Sequence, residues 1–108
     1  MLNKEDFQKI DMRIGTIVDA SINKKTRIPA YKMKIDFGEL GIKNSSAQIT
    51  DLYTPESLIG RQVVCVFNLT PVRISEVKSE VLVLGTVTND GVVLLDVDKK
   101  VDNGLRIS

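Results

Sequence analysis

The chain of 108 residues contains no histidine, no tryptophan and a single cysteine. One cysteine excludes a disulfide framework within the chain, and we expect Cys65, in the apolar run VVCVFN, to be a buried thiol. Because histidine is the commonest general base and the commonest metal ligand, its absence predicts no metal site and no cofactor. The opening MLNKEDFQKI does not resemble a signal peptide, and no apolar segment approaches the length of a membrane span. We therefore expect a cytoplasmic protein with no membrane insertion.

Motifs for catalysis are also missing. The 14 acidic residues show no spacing that demands acid–base chemistry, and the serines have no histidine to activate them. The glycines are dispersed, so no phosphate-binding loop is predicted. The sequence predicts no catalytic residues, and an enzyme is not expected. Since the net charge is only +1, a nucleic-acid site would need local clustering of lysine and arginine.

The order of predicted elements indicates one all-β domain, residues 1–108. A short helix in residues 1–10, capped by Asn3, precedes the strands MRIGTIVDASI, YKMKIDF and SSAQIT. Gly15 in the first strand suggests a bulge or a sharp bend. The segment TPESLIG predicts one helical turn before the strands QVVCVFNL, EVLVLGTVT and VVLLDV, the last two joined at the turn signal NDG. A helical turn between strands 3 and 4 favours the five-stranded Greek-key barrel known as the OB-fold. Ten residues are predicted to form its core: Ile14, Val18, Tyr31, Met33, Ile35, Phe37, Val64, Val66, Val83 and Leu94.

Basic residues cluster on one predicted face. In YKMKIDF the apolar residues alternate with Lys32 and Lys34, which places both lysines on the outward face of a half-buried strand. Arg13, Arg73 and Lys78 would extend this patch. In OB-folds that face and the adjoining loops bind oligonucleotides or oligosaccharides. On charge alone, a solvated charged face explains these residues as well.

Two segments carry a family resemblance. DMRIGTI resembles the opening signature Asp-x-Arg-Val-Gly-x-Ile of the tRNA-binding OB-fold family. NLTPVRISEVKSEVLVLG resembles its second signature, in which Asn-Leu-x-Pro and a basic tract precede Ser-x-Gly-Met and an apolar strand. PAYKMKIDFG, KNSSAQITDLYTPESLIGRQVV and SEVLVLG are similar to the CsaA export-related chaperones, a free-standing branch of that family. The resemblance extends from about Asp6 to Ile107.

The resemblance implies an OB-fold homodimer that binds unfolded or exported polypeptides and carries a tRNA-binding surface. Asp11, Arg13, Gly15 and Ile17 match the first signature, and Asn68, Pro71, Arg73, Ser79 and Glu80 match the second. The predicted RNA-binding residues are Arg13, Lys32, Lys34, Asn68, Arg73, Lys78 and Ser79. The predicted peptide-binding residues are Gln48, Leu69, Val77 and Glu80. Residues 1–10 and 97–108 are expected to form the dimer interface, with Phe7, Ile10 and Leu105.

Several alternatives stay open at this point. Asn68 and Ser79 flank the tract from Val72 to Lys78, which is expected to cross the barrel surface, and they either bind a ligand or hold this loop. Ser75 and Glu76 replace a basic residue and a glycine of the wider family, and Val81-Leu82 replaces its Gly-Met. Glu76 places a negative charge where a phosphate contact favours a positive one. A tRNA-binding module without a chaperone role, and an interaction domain for a folded protein, are the competing hypotheses.

Overall fold

Residues 1–74 and 76–108 are described by a computed structural model, in which short strands dominate. In chain order the elements are α1 (Lys4–Gln8), β1 (Met12–Asn23), β2 (Ala30–Asp36), a 3-10 turn (Gly38–Leu40), β3 (Ile42–Ala47), α2 (Pro55–Leu58), β4 (Gln62–Val66), β5 (Val72–Ile74), β6 (Val77–Ser79), β7 (Leu82–Val83), β8 (Gly85–Thr88) and β9 (Gly91–Leu94).

Five of these strands form one antiparallel sheet in the order β3-β2-β1-β4-β7. The other four form two hairpins, β5–β6 and β8–β9. Helix α2 lies between β3 and β4, where the sequence predicts a helical turn. The predicted all-β OB-fold with a short N-terminal helix is therefore confirmed.

Both helices begin with a capping box, and the first begins at the predicted capping residue Asn3. The side chain of Asn3 accepts a hydrogen bond from the backbone N–H of Asp6 at 2.9 Å, and the Asp6 carboxylate accepts one from the N–H of Asn3 at 3.2 Å. Thr54 and Ser57 form the same reciprocal capping box at the start of α2, with Pro55 in its first turn. These bonds satisfy N–H groups that have no partner inside a short helix.

One core cluster joins buried side chains from β1, β2, β4 and β9. Tyr31, Met33, Ile35 and Phe37 are buried while Lys32 and Lys34 are exposed, which confirms the predicted alternation of β2. Every residue of β4 is buried, so this strand is covered on both faces. Burial raises the pKa of the Cys65 thiol to about 12, which keeps the thiol neutral and chemically inert near neutral pH.

One predicted core residue and the position of the bulge in β1 differ from the sequence-based expectation. Val18 was expected in the core but is 44% exposed, because the register between β1 and β2 shifts between Ile17 and Asp19 and leaves Val18 as the extra residue. The bulge therefore lies here and not at Gly15. A Cβ at Gly15 would lie 2.6 Å from the Ile35 side chain, so close packing explains this glycine. Val83 is only half-buried, although it packs against the core.

Several strand boundaries also differ from the prediction. The third strand begins at Ile42, three residues before SSAQIT, and β4 ends at Val66. The predicted strand EVLVLGTVT is divided at Leu84, whose N–H donates to the Val64 carbonyl while its own carbonyl accepts from Leu95. At Leu84 the strand therefore changes its hydrogen-bonding partner from β4 to the end of β9. The tract after Pro71 forms the hairpin β5–β6, and the substitution noted at Ser75 lies outside the described residues.

Candidate ligand-binding grooves

A groove with basic side chains crosses the outer face of the sheet. Its floor comes from β1, β2 and β3, and one wall comes from the hairpin β5–β6. Its volume is about 440 Å³, within the usual range of ligand sites. Four of the seven predicted RNA-binding residues lie together here. The residues that line this basic groove are Asp19, Ser21, Lys32, Met33, Lys34, Asn44, Arg73, Glu76, Val77 and Lys78.

Strand pairing fixes the positions of the four cations. Lys34 lies opposite Asp19 on β1 and Asn44 on β3, whereas Lys32 lies opposite two serines. Arg73 lies opposite Lys78 across the hairpin β5–β6. All four cationic side chains are exposed. Ammonium and guanidinium groups along one groove bind phosphate oxygens without reading base sequence.

Two acidic side chains, those of Asp19 and Glu76, also lie in the basic groove. The Glu76 carboxylate accepts a hydrogen bond from Lys25 Nζ at 2.6 Å, which joins the hairpin β5–β6 to the loop between β1 and β2. The guanidinium of Arg73 donates to the Glu76 carbonyl at 3.4 Å. Both side chains of the ion pair are mostly exposed, so it contributes little stability. Glu76 places a negative charge beside the four cations, as predicted from the sequence. The ion pair between Glu76 and Lys25 could not be predicted from the sequence.

Arg13 and Asn68 lie outside the basic groove. The Arg13 guanidinium donates to the Asp11 carboxylate at 2.7 Å and to the Gly104 carbonyl at 3.0 Å. The Asn68 carboxamide accepts from the N–H of Asp11 at 2.9 Å and donates to the Lys9 carbonyl at 2.8 Å. These signature residues therefore connect the start of β1 with the end of β4 and with the C-terminal segment.

Ser79 and Glu80 hold the edge of β3. The Ser79 hydroxyl accepts from the N–H of Ser46 at 3.2 Å. One Glu80 carboxylate oxygen accepts from the N–H of Asn44 at 3.1 Å, and the Glu80 N–H donates to the Asn44 carbonyl at 2.8 Å. Side chains thus complete backbone hydrogen bonding where the sheet meets the hairpin β5–β6. Among the described residues, the side chains of Asn68 and Ser79 therefore bond to neighbouring segments of the barrel and not to the tract from Val72 to Lys78. Binding of a ligand by these two residues stays a prediction.

A second, larger groove is mainly apolar and has a volume of about 770 Å³. Gln48 is the one predicted peptide-binding residue that lines it, whereas Val77 lines the basic groove. Leu69 is 47% exposed and, like Glu80, lines neither groove. Only a strand was predicted at the apolar run of β7 and β8, although this run is the one sequence signal that could have indicated the groove. The residues that line this apolar groove are Lys25, Thr26, Arg27, Ile28, Ala30, Ser46, Ala47, Gln48, Ile49, Ile74, Leu82, Val83, Leu84, Gly85, Val87 and Val92.

The two chain termini meet at one end of the barrel. The Ile107 N–H donates to the Met12 carbonyl at 2.9 Å, and the Arg106 guanidinium donates to the Gln8 carbonyl at 2.7 Å. The predicted interface residues Phe7, Ile10 and Leu105 are 38%, 39% and 50% exposed, respectively. Partly exposed apolar side chains near both termini agree with the expected interface, which stays a prediction.

Neither α-helix of the described chain has the length and hydropathy of a membrane span. Within residues 1–74 and 76–108, no three side chains from His, Cys, Asp and Glu are grouped as metal ligands.

The curled five-stranded sheet defines a domain with the OB-fold, and its surface carries two candidate ligand-binding grooves. Residues 12–106 match the family described as "Putative tRNA binding domain". The chain is 53% identical to the chaperone CsaA of Bacillus anthracis, with coverage of 100% and 99% of the two chains and a TM-score of 0.94. It is 47% identical to the CsaA chaperone protein of Picrophilus torridus over the full length of both chains, again with a TM-score of 0.94.

A more distant relative is the methionine–tRNA ligase of Methanococcoides burtonii, at 36% identity over 99% of this chain. The chain spans only 16% of that ligase's length. The chain belongs to the tRNA binding domain family and, within it, to the CsaA chaperones.

Proposed function

We propose that the chain acts as a homodimeric cytoplasmic chaperone that binds unfolded or exported polypeptides, and that it also binds tRNA. The observation that carries the chaperone function is the apolar groove. Its lining includes Ile28, Leu82 and Val87, which are 59%, 50% and 84% exposed. Unfolded polypeptides present apolar segments without a fixed shape, and burying such segments against exposed apolar side chains is favourable. The relatives named as chaperones support this choice.

The tRNA-binding part of the proposal depends on the basic groove. Lys32, Lys34, Arg73 and Lys78 provide four exposed positive charges in one groove of about 440 Å³. Phosphate contacts of this kind give affinity that falls steeply with salt. The family match over residues 12–106 supports the same ligand. No catalytic role is proposed.

A direct comparison of ligands tests the proposal. Affinity for total tRNA and for a permanently unfolded polypeptide, such as reduced and carboxymethylated α-lactalbumin, is measured side by side at low and high salt. We expect both to bind, with tRNA affinity falling steeply as salt rises and polypeptide affinity changing little. Binding of tRNA without any binding of the unfolded polypeptide would favour a tRNA-binding module without a chaperone role. Binding of neither ligand would favour an interaction domain for a folded protein.

The homodimer is tested at the chain termini. Phe7 lines a small cavity together with Arg106 and Ile107, so a charge at this position would disfavour an apolar contact with a second copy. We expect Phe7→Asp to sediment as a monomer near 12.0 kDa and to lose protection of an aggregating client. Ile59→Asp, at an apolar position after α2 that is 52% exposed and lies outside both terminal segments and this cavity, is the control and should remain dimeric. A monomeric Phe7→Asp chain that still protects the client would separate chaperone function from assembly.

A further inference from the structure

The hairpin β8–β9 has an outer edge that faces the apolar groove. Leu95 donates a backbone hydrogen bond to Leu84 at 3.1 Å, and the register then pairs Thr86 with Val93 and Thr88 with Gly91. Bonded and non-bonded pairs alternate along an antiparallel ladder. Gly85 and Val87 therefore occupy the non-bonded positions, and their N–H and C=O groups point away from β9.

The outward N–H and C=O groups of Gly85 and Val87 lie at the apolar groove. Gly85 and Val87 both line it, and Val87 is 84% exposed. Within the described chain, no loop, turn or side-chain hydrogen bond reaches the backbone groups of either residue. An unpaired strand edge is a template for another extended chain, since its backbone donors and acceptors are already aligned.

The charged side chains that line the apolar groove indicate which polypeptide segments it favours. Among the residues that the structure describes, two cations, Lys25 and Arg27, line the apolar groove, and no acidic side chain does. Lys25 is already paired with Glu76 at 2.6 Å, whereas no ion pair involving a described residue includes Arg27. An exposed guanidinium at the border of an apolar groove is complementary to a carboxylate.

We propose that the apolar groove binds an extended polypeptide segment as an additional strand on the outer edge of β8, with an acidic side chain of that segment paired to Arg27. This proposal rests on the proposed chaperone function and specifies how the client is held. Main-chain hydrogen bonds to Gly85 and Val87 supply affinity that does not depend on client sequence. Apolar side chains of the client fill the groove, and Arg27 favours segments that carry an aspartate or glutamate.

Amide hydrogen exchange on the unmodified chain tests the strand pairing. The probe is a blocked heptapeptide of alternating valine and threonine with a central glutamate. We expect the amides of Gly85 and Val87 to exchange quickly in the free chain and to become protected when the peptide binds. Thr86 and Thr88 should be protected in both states, because their N–H groups bond within the hairpin.

Two exchange results would overturn the proposal. Gly85 and Val87 amides that stay fast in the peptide-bound chain would mean that side chains alone hold the client, which leaves the chaperone function intact. Protection of both amides without peptide, increasing with protein concentration, would mean that a second copy of the chain occupies the edge. Failure to bind an unfolded polypeptide at all would instead reject the proposed function itself.

A pair of substitutions at Val87 gives an independent test. Val87→Pro removes the outward N–H without removing a hairpin bond, and we expect it to weaken peptide binding about tenfold. Val87→Thr keeps the N–H and the branched shape, and we expect a smaller loss of about threefold. Binding of tRNA should be unchanged in both variants, which shows that the barrel remains folded. Equal peptide affinity of the two variants would contradict strand addition.

The acidic preference is tested separately with a thermodynamic cycle. We expect replacement of the peptide's glutamate by glutamine to weaken binding several-fold with the unmodified chain and to have no effect with Arg27→Gln. An equal effect of the peptide change on both chains would reject the role of Arg27. Lys100→Gln, an exposed cation outside the apolar groove, is the matched control.

Discussion

The basic groove and the apolar groove are adjacent on one small barrel, yet they differ in the interactions that they can make. Lys25 lines the apolar groove, and the ion pair from Lys25 leads to Glu76 in the basic groove. The basic groove offers charges that salt screens, whereas the apolar groove offers surface whose burial depends little on salt. Salt concentration and single charge changes should therefore separate two binding activities that share one fold.

Salt dependence gives the largest expected contrast. If four phosphates are contacted, the slope of log affinity against log salt is roughly −3, and tRNA affinity falls about sixtyfold from about 50 to about 200 mM salt. Replacing Lys32 and Lys34 by alanine should reduce this fall to about eightfold, because two contacts are lost. Affinity for the unfolded polypeptide should change little in both chains. The measurement is binding at a series of salt concentrations.

A variant with the same change in net charge controls this experiment. Lys99 and Lys100 are exposed and line neither groove, so replacing both by alanine should leave the slope for tRNA unchanged. If the Lys32 and Lys34 variant retained the slope of the unmodified chain, the phosphate contacts would lie elsewhere on the barrel.

Local sequence patterns predicted a large part of this fold. The capping box at Asn3, the alternation from Tyr31 to Phe37 and the helical turn after Thr54 depend on residues close together in the chain. The bulge at Val18 could not be placed in this way, because it is a property of the register between two strands. The division of the predicted strand at Leu84 likewise reflects two different pairing partners.

The candidate site was predicted in part for a related reason. Lys32 and Lys34 follow from the period of β2 alone. Asn68 bonds to the carbonyl of Lys9, 59 residues away, and Glu80 bonds to Asn44, 36 residues away. Such partners are set by the closed barrel and leave no local pattern. Asn68 was predicted to bind RNA and Glu80 to bind peptide, and no sequence pattern indicated these contacts within the chain. Both ligand roles stay predictions.

Removing the Asn68 carboxamide should lower the stability of the fold and leave tRNA binding by the basic groove unchanged. Asn68→Ala loses one bond to Asp11 and one to Lys9, and we expect the free energy of unfolding to fall by about 1 to 2 kcal/mol. The affinity of the folded variant for tRNA at constant salt should stay that of the unmodified chain. Asn68→Asp keeps the acceptor and loses the donor, so an intermediate loss is expected in denaturant unfolding. A loss of tRNA affinity in folded Asn68→Ala at constant salt would assign this residue a direct RNA contact.

The smallest predicted effect is that of Glu76→Gln, which should strengthen tRNA binding, whereas replacing Lys32 and Lys34 should weaken it. A carboxylate about 7 Å from a bound phosphate repels it by about 0.6 kcal/mol in water, which corresponds to about threefold in affinity. Glu76→Gln should therefore strengthen tRNA binding about threefold at low salt, and the gain should vanish at high salt. The ion pair with Lys25 is exposed, so stability should change by less than about 1 kcal/mol.

Glu56→Gln is the matched control, because Glu56 lies on α2 and lines neither groove. It makes the same change in net charge, so any gain in tRNA affinity that it shows measures the general electrostatic effect. A gain at Glu76 that exceeds this value would show that Glu76 limits phosphate binding in the basic groove. Equal gains for the two variants would mean that Glu76 acts only through net charge.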